Sequence, residues 1–412
     1  MKQALIVGAG CAVIRFPEGY YPSGEFDGEH DPMHCKVLFM RQGGVSGAIV
    51  TLELPSVRPW ELTDELRAFA AGQLGIPFEN TWLVMTHDLA APHVPLREPL
   101  RGMHMDALRK AVSAAAAQAR DTAREAVPSL GESICAVNAN RDMESADGWW
   151  VGTEGSGPSD KTLTLLRFDD LSGKPVAALY SYAIKSSVLE AVVMSDGKRY
   201  ASGDVTGAAG KKAQERLGCP VLFVMGAAGD QVPRMKGNHL ALDRDRRFVP
   251  VNLAEASYEM LEELSEELFR SILDASQKAV AVSAPRELSF LHRSLLCPGK
   301  LPYPKTLPAP PVKSYTYEET LPQALDIWTI SVAGCVIIGV RPEIPTPIFA
   351  GIRRKHADRP LMMATLVNGG QGYIATDWDL DHFTYPGLNT PFRRGTDTLF
   401  ADAVNDLLAE TV

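Results

Sequence analysis

Long hydrophobic runs are missing from this sequence. No stretch of unbroken apolar residues approaches the ~20 that a membrane-spanning helix needs, so no membrane partner is expected. Clustered basic residues are missing too. RDRR at Arg244–Arg247 and RRK at Arg353–Lys355 are short, and the formal net charge is −9, which argues against a nucleic-acid footprint. The six cysteines (Cys11, Cys35, Cys135, Cys219, Cys297, Cys335) are scattered without close spacing, so buried free thiols are expected rather than a disulfide framework. The opening MKQALIVGAGCAVIRF carries no clear cleavage-site pattern. A cytoplasmic protein with a small-molecule substrate is the resulting expectation, and its size suits a homo-oligomer.

What is present is a chain of 412 residues, 45% hydrophobic and 22% charged, enough for one large core or two ordinary ones. Strands are expected at LIVGAGCAVIRF, KVLFMRQ and Ser46–Leu54, and a helix over Pro59–Leu74. TWLVMTH reads as a short buried strand, and the alanine-rich Met103–Val127 as a helix laid against a sheet. SICAVNANRD, TLTLLRFDD and VAALYSYAI suggest a small antiparallel unit. PVLFVMGAAGD, TISVAGCVIIGV and Leu361–Val367 read as further strands, with helices over Asn252–Val280 and Thr396–Glu410. The proline-rich Cys297–Val312 should cross the surface in extended form. With no repeat and no clean linker, the expectation is an α/β fold. It is a single large domain over 1–412, a mixed β-sheet flanked by helices, with 236–326 partly an excursion.

GAGCAV near the start imitates a dinucleotide-binding turn but does not complete it. Val13 stands where the third glycine is needed, and strand rather than helix follows. Stronger chemistry lies in three segments that each follow a buried strand: THDLAAPH at Thr86–His93, MGAAGDQVP at Met225–Pro233, and RPEIPTP with NGGQGYIAT between Arg341 and Thr376. Open α/β sheets collect ligands at such strand ends.

Several segments in one order, taken together, resemble the catalytic domain of the neutral, non-lysosomal ceramidase family. They are GAGCAVIR, EHDPMHCKVLFM, THDLAAPH, LLRFDDLSGKPVAALYSYAIK, SGDVTG, GAAGDQVPR, PEIP and GYIAT. The resemblance implies a zinc centre held by two histidines, a glutamate and a tyrosine. Carried over, the first histidine is His87, the glutamate Glu343 and the tyrosine Tyr373, while the second histidine falls on Lys185. Leu89 breaks the paired-histidine loop that the family would show, and Pro342 replaces a glycine before the glutamate. No room is left after Val412 for the family's C-terminal domain, so a short relative that is not itself a ceramidase is expected.

The residues carry their own chemistry beside that likeness. His87 suits a metal ligand or an acid–base group, and His93 is placed to fill the gap left by Leu89; either also reads as an ordinary loop histidine. A protonated Lys185 cannot bind zinc. Buried, it becomes a base or nucleophile, or it supplies the metal's positive charge. Glu343, between Pro342 and Pro345, suits a ligand or general base, and Tyr373 a ligand or an oxyanion donor. Asp230 is a candidate to orient His87 or hold a substrate amine, and Asp204 to cap a helix. His30 and Asp31 either line the pocket or lock a loop, and Arg141 and Arg234 suit an anionic substrate or surface pairs. The leading reading is a hydrolase acting on an amide or related carbonyl bond of a small polar substrate, by zinc-activated water (His87, Glu343, Tyr373, His93) or by Lys185-assisted chemistry. The alternatives are a lyase or isomerase with Lys185 as base, and a non-catalytic binding protein.

Overall fold

Strict alternation along the strands sets the architecture. In His34–Gln42, Cys35, Val37 and Phe39 enter one core while Leu38 and Met40 enter another. Successive strand side chains point to opposite faces, so both faces of this sheet are covered. The same split recurs in Val221–Met225, where Val221, Phe223 and Met225 face one core and Leu222 and Val224 the other.

The computed structural model describes residues 3–282 and 287–410. Its larger sheet has nine strands, eight of them in the order Val221–Met225, Pro175–Tyr182, Thr162–Asp170, Arg124–Ile134, Leu5–Val13, His34–Gln42, Val45–Leu52 and Thr81–Met85. The pairs at its two edges are parallel and its interior is antiparallel. A second sheet holds Ser289–Lys300, Glu319–Val332, Cys335–Val340 and Leu361–Ala364. The sheets meet face to face through Trp82, Val84, Phe168 and Val224 on one side and Trp328, Ile330, Ile337 and Met362 on the other. Helices Trp60–Leu74, Leu100–Asp121, Asp204–Leu217 and Ala256–Gln277 cover the outside of the larger sheet; Thr346–Lys355 and Thr396–Glu410 cover the smaller. The result is four layers, helix–sheet–sheet–helix, and the expected mixed α/β class is the one observed.

Several local expectations are corrected. The helix expected over Met103–Val127 ends at Asp121, and Arg124–Ile134 is a strand of the large sheet. Thr122 marks the break: its hydroxyl donates to Ala9 O at 2.8 Å and accepts from Ala9 N at 3.0 Å, tying the helix end to the first strand. The run expected as one strand through SICAVNANRD divides at Cys135–Val137, and Asn138–Ser145 joins a separate three-stranded sheet. TLTLLRFDD and VAALYSYAI do pair antiparallel, but as part of the nine-stranded sheet rather than as a small unit of their own. Residues 236–326 contribute to both layers, through the helix Ala256–Gln277 and the long hairpin of the second sheet. Residues 283–286 of that segment, and both ends of the 1–412 span, lie outside the described residues. All six cysteines are free.

The glycines that imitate a nucleotide turn have a packing duty. A Cβ at Gly8 or Gly10 would run into the carbonyl oxygens of Ala119 and Ala115, so their bareness lets the alanine-rich helix lie directly on the strand. Among the described residues, no helix is long and apolar enough to cross a membrane.

Candidate active site

Five strands release their chains at one end of the double sheet, and each of the five loops carries a candidate residue, Tyr373 on the one that follows Leu361–Ala364. His87 follows Thr81–Met85, Lys185 follows Pro175–Tyr182, Asp230 follows Val221–Met225, and Glu343 follows Cys335–Val340. Backbone bonds knit these loops together: Leu89 N donates to Ser186 O (2.8 Å), Gly229 N to Ile344 O (2.9 Å) and Glu343 N to Gly372 O (2.8 Å). Glu343 and Tyr373 form a parallel bridge, which places them side by side. His87 sits at φ +55°, a left-handed conformation rare outside glycine and held only where the surroundings enforce it.

Four side chains meet in a line of two hydrogen bonds and one ion pair. His87 Nε2 lies 3.1 Å from Glu343 Oε1, Lys185 Nζ lies 2.8 Å from Glu343 Oε2, and the same Nζ is 3.4 Å from the Tyr373 hydroxyl. Lys185 is 1% exposed, and Glu343 and Tyr373 are buried. Burial, then repulsion from Arg141, pushes the Lys185 amine down to about 8, with Glu343 opposing both. Burial disfavours a charged Glu343, but Lys185, His87 and Arg141 outweigh it and hold the carboxylate well below its usual range. Burial and then the Glu343 charge push Tyr373 well above the ordinary phenol value, so its hydroxyl keeps its proton. The Arg141 guanidinium lies 5.3 Å from the Tyr373 ring centre and 4.7 Å from that of Tyr385.

These groups line a cleft of about 800 Å³. His87, Lys185, Glu343, Tyr373 and Arg141 share it, and so do His93 and Leu89. His93 is on the exposed wall and makes no hydrogen bond to the four-residue line. Asp230 is not on the cleft wall. Its carboxylate accepts from Thr346 N and Oγ1, both at 2.9 Å, and from Asn140 at 3.3 Å, which ties the Glu343 loop to the Arg141 strand instead of orienting His87.

Asp204 is the first residue of its helix rather than the cap, which is Gly203. Its carboxylate accepts from Val188 N (3.0 Å) and Leu189 N (2.7 Å), pinning the loop that follows Lys185. Asp31 accepts from His30 Nδ1 at 2.6 Å and Gly203 N at 2.9 Å, so this pair locks a loop. Arg234 pairs with Glu263 and Glu267 on the helix Ala256–Gln277. Sequence reasoning missed Tyr385, which stacks edge-on to Tyr373 at 5.7 Å, and the Lys236–Glu190 pair at 2.6 Å on the cleft wall. Tyr385 opens a short helix and Lys236 follows only the three-residue strand Gln231–Pro233, so neither stands after an apolar strand run that the sequence would show.

The zinc ligands implied by the family likeness, His87, Glu343 and Tyr373, share their space with an ammonium here. The Lys185 ammonium lies against both Glu343 and Tyr373, while the other Glu343 oxygen is bonded to His87. A divalent cation among these donors would have to displace a buried positive charge. Among the described residues, no group of three or more His, Cys, Asp or Glu side chains converges as a metal cage.

Comparison with known proteins gives no match to a family model and none to curated sequences. Solved structures do match. The neutral ceramidase from Pseudomonas aeruginosa is similar at a TM-score of 0.72 and 15% identity, over 98% of this chain and 74% of that one. A ceramidase complexed with C2 is similar at 0.71 and 15%, over 97% and 74%. This chain has the fold of neutral ceramidase, as the order of its motifs implied.

Proposed function

We propose that the protein is a hydrolase that cleaves an amide bond in a small polar substrate without a catalytic metal, with the Lys185 ammonium supplying the positive charge at the reacting carbonyl. The observation that carries this reading is the buried line His87–Glu343–Lys185–Tyr373 on the cleft wall. Lys185 Nζ and the Tyr373 hydroxyl stand 3.4 Å apart on the cleft wall, close enough for both to serve one oxyanion. A carboxylate only accepts, so Nε2 of neutral His87 carries the hydrogen shared with Glu343, a tautomer assigned from this contact. Nδ1 is then the basic nitrogen, and it is buried without a hydrogen-bond partner among the described residues. We assign it the attacking water. Water adds to the carbonyl carbon as its proton passes to Nδ1, and the oxyanion rests on Lys185 and Tyr373. Collapse expels the amine, which takes the proton back from His87.

A second reading makes Lys185 the base of a lyase or isomerase. The buried amine at about 8 favours it, because a base poised near neutral pH works best there. Incubation with a panel of small amides, with and without chelator, tests the first reading. Chelator-insensitive amine release, lost in His87→Asn and Lys185→Met, is expected. Substrate turnover without amine release would favour the second reading, and a strict zinc requirement would overturn the metal-free one.

A further inference from the structure

The cleft carries more positive charge than the carboxylates on its wall, Glu343 and Glu190, neutralise. Of its cations, Lys185 is paired with Glu343 and Lys236 with Glu190. Arg58, Arg141 and Lys305 also line it, and none of the three forms an ion pair among the described residues. Three unpaired cations on one cleft, in a chain of net charge −9, are a local excess. Arg141 is the telling one. It is 5% exposed, and its Nε and Nη2 are buried without a hydrogen-bond partner. A buried guanidinium left in that state is costly unless an anion joins it. Arg58, over the Trp60 ring at 4.7 Å, and Lys305 are exposed at the rim, where unpaired charge attracts rather than anchors.

A second pocket of about 260 Å³ opens beside this cleft and shares Lys305, Tyr385 and Asn389 with it. Its other walls are apolar, including Trp150, Tyr303, Leu307, Pro310 and Leu388. Trp150 and Tyr385 stand 5.2 Å apart there. Flat aromatic and proline walls suit an aromatic or short apolar group.

We propose that the substrate is an N-acylated amino acid or close analogue: its free carboxylate pairs with Arg141, and an apolar group of the same molecule enters the side pocket. Carboxylate is the oxyanion chosen because a planar guanidinium matches it with two parallel hydrogen bonds. The proposal rests on the amide-hydrolase reading for the bond between the two groups, and binding tests it separately.

Affinity for N-benzoylglycine, its neutral amide N-benzoylglycinamide, and N-acetylglycine, titrated by calorimetry into the full chain, is the experiment. N-benzoylglycine is expected to bind about tenfold or more tighter than the neutral amide. It should also bind more tightly than N-acetylglycine, which lacks the ring. The acid-over-amide preference is expected to vanish in Arg141→Gln. In Arg58→Ala/Lys305→Ala, two exposed positions whose loss leaves the fold intact, it should shrink and the salt dependence should flatten. Equal affinity for acid and amide, or no binding of the acid at millimolar concentration, would overturn the proposal. Acid-selective binding without glycine release would leave this anion site standing and sink the hydrolase reading; glycine release with no acid preference would do the reverse.

Discussion

At the scale of single residues, the proposed chemistry turns on Lys185, which stands where the ceramidase likeness would place a histidine. Lys185 brings its own charge, so Glu343 is satisfied by an ammonium and an imidazole. Two predictions follow from that geometry. Activity that depends on the Lys185 ammonium is expected to fall as pH rises through about 8, because the amine loses its proton there. A Lys185 base would instead give activity rising through the same region, so the sign of that limb in a kcat/KM profile decides between the two readings. Lys185→Met leaves the buried Glu343 carboxylate with the His87 imidazole as its one remaining partner of the line. It is expected to cost about 3–5 kcal/mol of stability and on the order of 100-fold in activity; denaturation and kinetics check the two effects separately. Most of these residues were legible because they sit just past apolar strand runs. The duties of Asp230 and Asp204 were not, since the groups they hold, Thr346 and the backbone at Val188 and Leu189, lie far from them in sequence.

Among the elements, the first strand and the alanine-rich helix show how a local pattern misleads until its packing is known. Gly8 and Gly10 resemble a phosphate-binding turn, yet they face the carbonyls of Ala119 and Ala115. Gly10→Val is therefore expected to destabilise the fold by about 3 kcal/mol or more through overpacking, with nucleotide affinity absent before and after, as denaturation and a nucleotide titration would check. The strand Arg124–Ile134 escaped sequence reasoning because EAVPSL follows the helix with little punctuation, and alanine and valine serve either element. The hairpin of Ser289–Lys300 and Glu319–Val332 escaped because prolines occupy its open end, where Cys297/Gly299 marks a register shift. Lys305 lies on the crossing between those two strands, which is how a segment expected as plain surface comes to line the cleft.

For the whole molecule, the site belongs to the seam between two sheets. His87 and Lys185 come from the larger sheet, and Glu343 and Tyr373 from loops of the smaller, so the facing of the sheets sets the distances in the cleft. Trp82 fills that seam and lies against Gly339. Trp82→Ala is expected to cost about 3–5 kcal/mol and to loosen the site, which thermal unfolding and activity would check together. The mixed α/β class was readable from the strand and helix patterns, and the family likeness carried the fold. The second sheet as a separate layer was not readable, because buried strands of both sheets give the same apolar runs. Zinc content of the purified protein and of Lys185→His, each equilibrated with zinc and then freed of excess, tests the central claim most directly. If the ammonium stands in place of the metal, the native protein holds essentially none and the substitution, which completes the donor set His87, Glu343 and Tyr373, gains about one zinc per chain. Near one zinc per native chain, lost in His87→Ala and Glu343→Ala, would contradict the account.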